Sequence, residues 1–229
     1  MSYIESAIGK SPPRLEAAEK AAGQALFSGD MVMPGMLHGA LLTSPHAHAR
    51  ILSYDATAAL ALPGVRAVVT AEDITGGAIG PLVRDEHALA RGKVRYIGEP
   101  VAAVAAESEA VARLAARLVE VEYEELPAVA TIAEAMAEGA PLLHEDFADY
   151  FKIYPAPENG GNLMTRGEAV MGRGVEGFDE ADIVVEEEFR FARHTGVTLE
   201  PRCIIADYDP STHALTVHQS HQAPHEMAD

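Results

Sequence analysis

Apolar and polar positions alternate in short stretches along much of this 229-residue chain. Met36 to Thr43 (MLHGALLT) and Arg50 to Tyr54 (RILSY) read as strands joined through Ser44-Pro45. Asp55 is placed to cap a short alanine-rich helix, which Pro63-Gly64 ends. Val65 to Thr70 (VRAVVT) is a strand by its β-branched content. Residues 74–95, rich in glycine and charge, read as an excursion loop. Pro100 to Ala106 (PVAAVAA) is a continuous apolar run, the mark of a strand buried on both faces. Ser108 then caps a helix whose Val111, Leu114, Ala115 and Leu118 follow the i, i+3, i+4, i+7 spacing. Val119, Val121 and Tyr123 alternate with Glu120, Glu122 and Glu124, as in a half-exposed strand. This strand–helix–strand unit makes the first half mixed α/β.

Residues 126–166 break the pattern. Pro127, Pro141, Pro155, Pro157 and the Asn159-Gly160-Gly161-Asn162 cluster predict a long connection. Beyond it, Ile183 to Phe191 alternates like a strand, although Glu187 interrupts the apolar face. Cys203 to Tyr208 and Ala214 to Ser220 flank Asp209-Pro210-Ser211-Thr212, a type I turn composition, and predict a hairpin. No internal repeat is visible.

Composition narrows the class. Apolar residues make up 48% of the chain, enough for a packed core. The formal charge of −18 opposes binding to nucleic acid or an anionic membrane, because phosphates are repelled. The single cysteine, Cys203, excludes an internal disulfide framework and any multi-cysteine zinc or iron–sulfur site in these residues. No apolar run approaches the length of a membrane span. Met1 to Lys10 lacks the apolar stretch of a secretory signal, so a cytoplasmic protein is the expectation.

Several candidate motifs weaken on inspection. Gly172-Arg173-Gly174-Val175-Glu176-Gly177 matches G-x-G-x-x-G, but a dinucleotide site needs a buried strand before it and a full helix after it. Thr165 to Met171 is a poor buried strand, and only a short helix fits before Ile183, so a glycine-rich turn is expected. His213, His218, His221 and His225 cluster near the end of the chain without a metal-ligand spacing. His46 and His48, two apart, are expected to pack or cap beside Pro45. Cys203 opens an apolar strand and reads as a small buried hydrophobe rather than a nucleophile. Glu186, Glu187 and Glu188 read as a solvated face.

Three separated segments share a likeness. Met36 to Ile51 (MLHGALLTSPHAHARI), Leu62-Pro63-Gly64-Val65 and Ala71-Glu72-Asp73-Ile74 resemble the opening of the molybdenum-binding subunit of the xanthine dehydrogenase and aldehyde oxidase family. Tyr96 to Val104 (YIGEPVAAV) and Val121 to Pro127 (VEYEELP) resemble the rest of its α/β hammerhead domain. Leu199-Glu200-Pro201-Arg202 and Gln222-Ala223-Pro224-His225 resemble the start of its large molybdopterin-binding domain. Two positions depart from the family pattern: Thr43 stands where an arginine is usual, and Glu168 where an aspartate is usual.

The resemblance implies an α+β chain: an N-terminal arm (1–19), a hammerhead domain (20–130), a linker (131–166) and the truncated start of a mixed α/β molybdopterin-binding domain (167–229). It implies molybdenum held by molybdopterin, as the cytosine dinucleotide. It also implies [2Fe–2S] clusters and FAD on partner subunits, a small iron–sulfur subunit and a medium FAD subunit, in a dimer of heterotrimers. The activity implied is hydroxylation of an aldehyde or N-heterocycle carbon, or oxidation of carbon monoxide. Gln222 matches the glutamine whose side-chain amide hydrogen-bonds a molybdenum oxo ligand, a neutral donor that does not titrate. Glu200 and Arg202 are expected to brace the domain by a charge-assisted contact. No catalytic residue and no direct metal ligand is expected within these residues, because the family's Gly-Gly-Phe-Gly segment and catalytic glutamate lie beyond a position equivalent to Asp229. The chain alone is therefore expected to be inactive. The competing expectation is a non-catalytic assembly or split-subunit module that docks on the remainder of a molybdenum subunit.

Overall fold

In the computed structural model, which describes residues 9–80, 82–153, 161–192 and 194–222, the elements follow in chain order. They are α1 (Ala17–Ala21), β1 (His38–Thr43), β2 (Ala49–Asp55), α2 (Thr57–Leu60), β3 (Val65–Thr70), β4 (Lys93–Val94), β5 (Pro100–Ala106), α3 (Glu109–Ala116), β6 (Glu120–Glu125), α4 (Ile132–Met136), α5 (Glu176–Asp179), β7 (Ile204–Asp209) and β8 (Ala214–Gln219). They fall into two units, Gly35–Val185 and the pair Met1–Pro34 with Glu186–Asp229.

The first unit holds two three-stranded antiparallel sheets. β5 lies between β1 and β3, with His38 opposite Ala106 and Val68 opposite Val104. β2 lies between β4 and β6, with Arg50 opposite Lys93 and Ile51 opposite Tyr123. Val101, Ala102, Val104 and Ala106 of β5 are fully buried, as the unbroken apolar run predicts. Ala102 and Val104 pack with Ala59, Ala115, Ala116 and Val119, while Val101 joins Ala49, Ala90 and Val94. Leu42 and Val121 touch both clusters and join them into one core. Side chains no larger than valine fill its centre, so helix and sheets approach closely.

Local signals set the element ends. The Ser108 hydroxyl accepts the Val111 N–H at 3.3 Å and starts α3. The Asp55 carboxylate accepts the Thr57 N–H at 2.8 Å and starts α2. Gly64, at φ +91°, turns the chain away from α2.

Three expectations need correction. The buried face of α3 is Ala112, Ala115 and Ala116; Val111 is half-buried and Leu114 is exposed. The alanine methyls let the helix sit close to β1 and β5, which larger side chains prevent. The strand–helix–strand unit is present, with β5 and β6 in different sheets and α3 packed on the sheet of β1, β5 and β3. Within residues 74–95, Lys93 and Val94 pair with β2, and Ile79 bridges Glu86. Ile183 to Phe191 forms no strand: Ile183 is 82% and Phe191 86% exposed, and no described strand offers it a ladder. Alternation supplies a face, but a strand also needs a partner for its backbone groups.

Residues 126–166 carry structure of their own. Thr131 and Glu134 form a capping box at the start of α4. The Asn162 side chain bonds Leu143 N, Ala135 O and Pro141 O at 3.0–3.1 Å. Phe147 is buried.

In the second unit, β7 and β8 form the predicted hairpin, with Ile204 opposite Gln219 and Asp209 opposite Ala214.

Candidate cofactor-binding site

The hairpin carries the candidate site. Its turn is built by Asp209, whose carboxylate accepts Ser211 N at 2.8 Å, Ser211 Oγ at 2.6 Å and Thr212 Oγ1 at 2.7 Å. The two hydroxyls and the backbone N–H hold the Asp209 carboxyl at about 2, below its ordinary 3.8. Tyr208 and His213 close the other side of the turn, with the phenol oxygen 2.7 Å from Nδ1. His213 takes a left-handed conformation at φ +58°.

At the opposite end of β8, the Ser220 hydroxyl donates to a Glu200 carboxylate oxygen. The Thr198 hydroxyl donates to the Glu200 carbonyl at 2.8 Å. Glu200 thus braces the end of β8 through a charge-assisted bond. Its partner is Ser220 rather than Arg202, whose exposed side chain makes no ion pair among the described residues.

Gln222 lies three residues beyond the last residue of β8 and is exposed. Its amide carries two N–H donors and bonds to no described residue. A neutral donor without a partner among the described residues is chemically suited to an oxygen acceptor. Ala223, Pro224 and His225, the rest of the motif, lie outside the described residues.

The other candidates separate. Gly172-Arg173-Gly174 forms a turn, α5 is only four residues long, and residues 161–171 before it form no strand. That is the glycine-rich turn expected, not a dinucleotide fingerprint. His218 is half-buried on β8 and His221 is exposed beyond it, while His225 lies outside the described residues. Among the described residues no three His, Cys, Asp or Glu side chains gather as metal ligands. Cys203 is half-buried at the start of the hairpin. Glu186, Glu187 and Glu188 are exposed, and Glu188 pairs with Arg190 at 2.7 Å.

His46 and His48 belong to the first unit, and both have packing roles. His48 is buried; its Nδ1 lies 2.7 Å from Pro127 O, and its carbonyl accepts Leu126 N at 2.9 Å. These bonds tie the start of β2 to the chain leaving β6. His48 Nε2 has no partner among the described residues. The His46 ring packs against Tyr123 at a tilt of 58°, with centroids 4.8 Å apart, and meets Glu125 at 3.3 Å.

One polar cluster lies outside the sequence motifs except for Glu99, which falls in Tyr96 to Val104. Lys93 is buried, and its ammonium donates to Glu145 at 2.6 Å and to Leu142 O at 3.2 Å. Arg95 Nε donates to Leu143 O at 2.9 Å. Glu99 receives Arg95 N at 2.5 Å, yet burial raises its carboxyl above the ordinary glutamate range. Burial also lowers the His144 imidazole, with Arg95 adding to the effect. The Lys93/Arg95 spacing, two residues apart at the end of β4, is the available signal. Their partners, roughly 50 residues away, are not visible in it.

Comparison with known proteins fits this geometry. Residues 22–127 match the family model for "Aldehyde oxidase and xanthine dehydrogenase, a/b hammerhead domain". Residues 155–229 match that for "Molybdopterin cofactor-binding domain". The carbon monoxide dehydrogenase large chain of Hydrogenophaga pseudoflava is 33% identical, over 96% of this chain and 28% of that protein. The nicotinate dehydrogenase large molybdopterin subunit of Eubacterium barkeri is 32% identical, over 95% of this chain and 48% of that protein. The crystal structure of a Cu,Mo-CO dehydrogenase superposes with a TM-score of 0.80 at 34% identity, over 96% of this chain and 28% of that one. The chain therefore spans less than half the length of these relatives. Among the described residues no helix is long and apolar enough to cross a membrane.

Proposed function

Because the chain belongs to the xanthine dehydrogenase and aldehyde oxidase family of molybdenum hydroxylases, we propose that it serves as the hammerhead portion and the opening of the cofactor domain in a molybdenum-binding large subunit. The observation that carries the proposal is the succession of the two family models, 22–127 and then 155–229, in one chain. The domain division proposed is an arm over 1–19, the hammerhead over 20–130, a linker over 131–166 and the cofactor domain from 167.

The reaction proposed is hydroxylation of an aldehyde or N-heterocycle carbon, or oxidation of carbon monoxide, with water as the oxygen source. When bound, a molybdenum–molybdopterin group, proposed as the cytosine dinucleotide, supplies the oxygen transfer and accepts two electrons. Gln222 is the residue of this chain assigned to it, its amide N–H donating to an oxygen ligand. Because the amide is neutral, it orients that oxygen without adding a proton equilibrium of its own. Glu200 and Ser220 hold the end of β8 that presents Gln222. Electrons are proposed to leave through [2Fe–2S] clusters and FAD on a small and a medium partner subunit, in a cytoplasmic dimer of heterotrimers. Residues 1–229 alone are proposed to be inactive.

The test is to purify residues 1–229 and the assembled subunits, then measure bound molybdenum and dye-linked oxidation of aldehydes, purines and carbon monoxide. Stoichiometric metal with turnover in residues 1–229 alone defeats the inactive-portion reading. In the assembled enzyme, Gln222→Ala is expected to lower kcat about 10- to 100-fold with little change in KM, the signature of a transition-state donor.

A second reading, an assembly module docking on the rest of a molybdenum subunit, draws on the exposure of Ile204 and Leu215 on the hairpin. Reading the codons after Asp229 separates the two. A continuous frame with the Gly-Gly-Phe-Gly segment supports the first, and a separate frame that opens with that segment supports the second.

A further inference from the structure

The free edge of β1 differs from the other outer strands of its unit. β4 has only two residues, β6 carries Glu120, Glu122, Glu124 and Glu125, and β3 contains Arg66. Short length and charge are the usual guards against strand addition. β1, with the sequence His-Gly-Ala-Leu-Leu-Thr, has six residues, no Lys, Arg, Asp, Glu or Pro, and pairs only with β5 among the described residues.

Beside it runs a shallow groove whose floor is β1 from Gly39 to Thr43 and whose rim is α3 at Arg113, Ala116 and Arg117. Leu41 leaves 58% of its surface exposed along this edge. Gly39 leaves open space where a side chain would stand. The rim is cationic in a chain of net charge −18. Arg113 shares its charge with Glu109 at 2.6 Å, whereas Arg117 has no ion-pair partner among the described residues.

We propose that β1 accepts an extended, carboxylate-bearing segment of a partner subunit as an added strand. Main-chain bonds to β1 supply the pairing, an apolar side chain of the segment covers Leu41, and an Asp or Glu meets Arg117. The charge of the rim selects an acidic segment over a neutral or basic one. This proposal rests on the multi-subunit reading above.

The experiment uses the assembled enzyme, purified through a tag on this chain, with the photo-cross-linking residue p-benzoylphenylalanine in place of Leu41. The expected cross-link falls on another polypeptide, within a segment containing Asp or Glu. Backbone amides of residues 39–43 are expected to exchange at least about tenfold more slowly in the assembly than in residues 1–229 alone. Arg117→Glu is expected to weaken retention of that polypeptide by about tenfold, with Arg117→Lys close to the parent. Thermal melting of each variant confirms its fold. A cross-link to this same chain, from its own residues or a second copy, overturns the proposal. So does unchanged exchange in an assembly whose partner subunits are present by mass. Absence of any partner subunit overturns the multi-subunit reading as well, so the two failures are distinguishable.

Discussion

β5 and the β7–β8 hairpin are built from similar material and end in different states. Both consist of antiparallel strands of six or seven residues with β-branched and alanine side chains, although β7 and β8 also carry Asp207, Tyr208, Asp209, His218 and Gln219 where β5 is wholly apolar. In β5, Val101 and Val104 are wholly buried, because β1 and β3 pair both edges and α3 covers one face. In the hairpin, Ile204 and Leu215 keep 62% and 60% of their surface exposed. An isolated two-stranded ribbon is marginal in water; a third strand or a covering helix turns it into a stable layer. The hammerhead unit supplies those covers from its own residues. Among the described residues the hairpin has no third strand; only the helical turn at Ser28–Asp30 meets β7, and Ile205 is its one buried apolar side chain, although its turn and register are fully formed.

The sharpest way to break this contrast is to place a charge in the buried strand. Val104→Asp is expected to cost about 3–5 kcal/mol in urea denaturation, through an uncompensated buried carboxylate. A loss under 1 kcal/mol defeats the assignment of the core to β5. Next in size is Lys93→Ala, which leaves Leu142 O and Glu145 without their buried cation. It is expected to cost about 1–3 kcal/mol and to speed amide exchange across residues 142–145. Unchanged exchange there means that Lys93 does not fasten the segment.

A smaller effect is expected at Glu99, and its sign follows from burial. The carboxyl sits above the ordinary 4.5 in the folded chain, chiefly through desolvation, with Arg95 pulling the other way. The folded state therefore binds this proton more tightly than the unfolded state does. The contribution favours folding below 4.5 and is lost as pH rises through the raised value. Glu99→Gln, which still accepts the Arg95 N–H, is expected to flatten this part of the stability profile and to stabilise modestly at neutral pH. Denaturation measured across that range checks it. The smallest change is expected for Leu215→Ser in residues 1–229, within about 0.5 kcal/mol. A cost comparable to that of Val104→Asp places Leu215 in a buried core and erases the contrast.

The same contrast explains which elements are legible in the sequence. β3 and β5 match their predicted bounds because an apolar or β-branched run between turn signals leaves little choice. The hairpin is legible because Asp209-Pro210-Ser211-Thr212 is a strong local turn, and local bonds build it. Ile183 to Phe191 carries an equally clear alternation, but pairing is a non-local property that alternation does not encode. The apolar stripe on α3 points to its larger side chains, whereas packing against a close sheet favours alanine, so the predicted face is off by one position. The Lys93 cluster is hidden for the reason that hides the separate sheets of β5 and β6: its partners are distant in sequence. Gln222 is marked only by likeness to a four-residue motif. Its role is the one proposed above, and local pattern alone gives no reason to single it out.

The pairing order also governs how the chain is made. β1 waits for β5, and β2 waits for β6, so the strands synthesised first are completed last. At roughly 5–20 residues per second, the nascent β1 stays unpaired for several seconds, with its uncharged edges open on both sides. The β1–β5–β3 sheet is whole once Ala106 has emerged, and the β4–β2–β6 sheet only once Glu125 has. The two sheets therefore close in succession, each at the slow rate that distant strand pairings impose. During that interval the apolar stretch from His38 to Thr43 is the part of the hammerhead most in need of a chaperone.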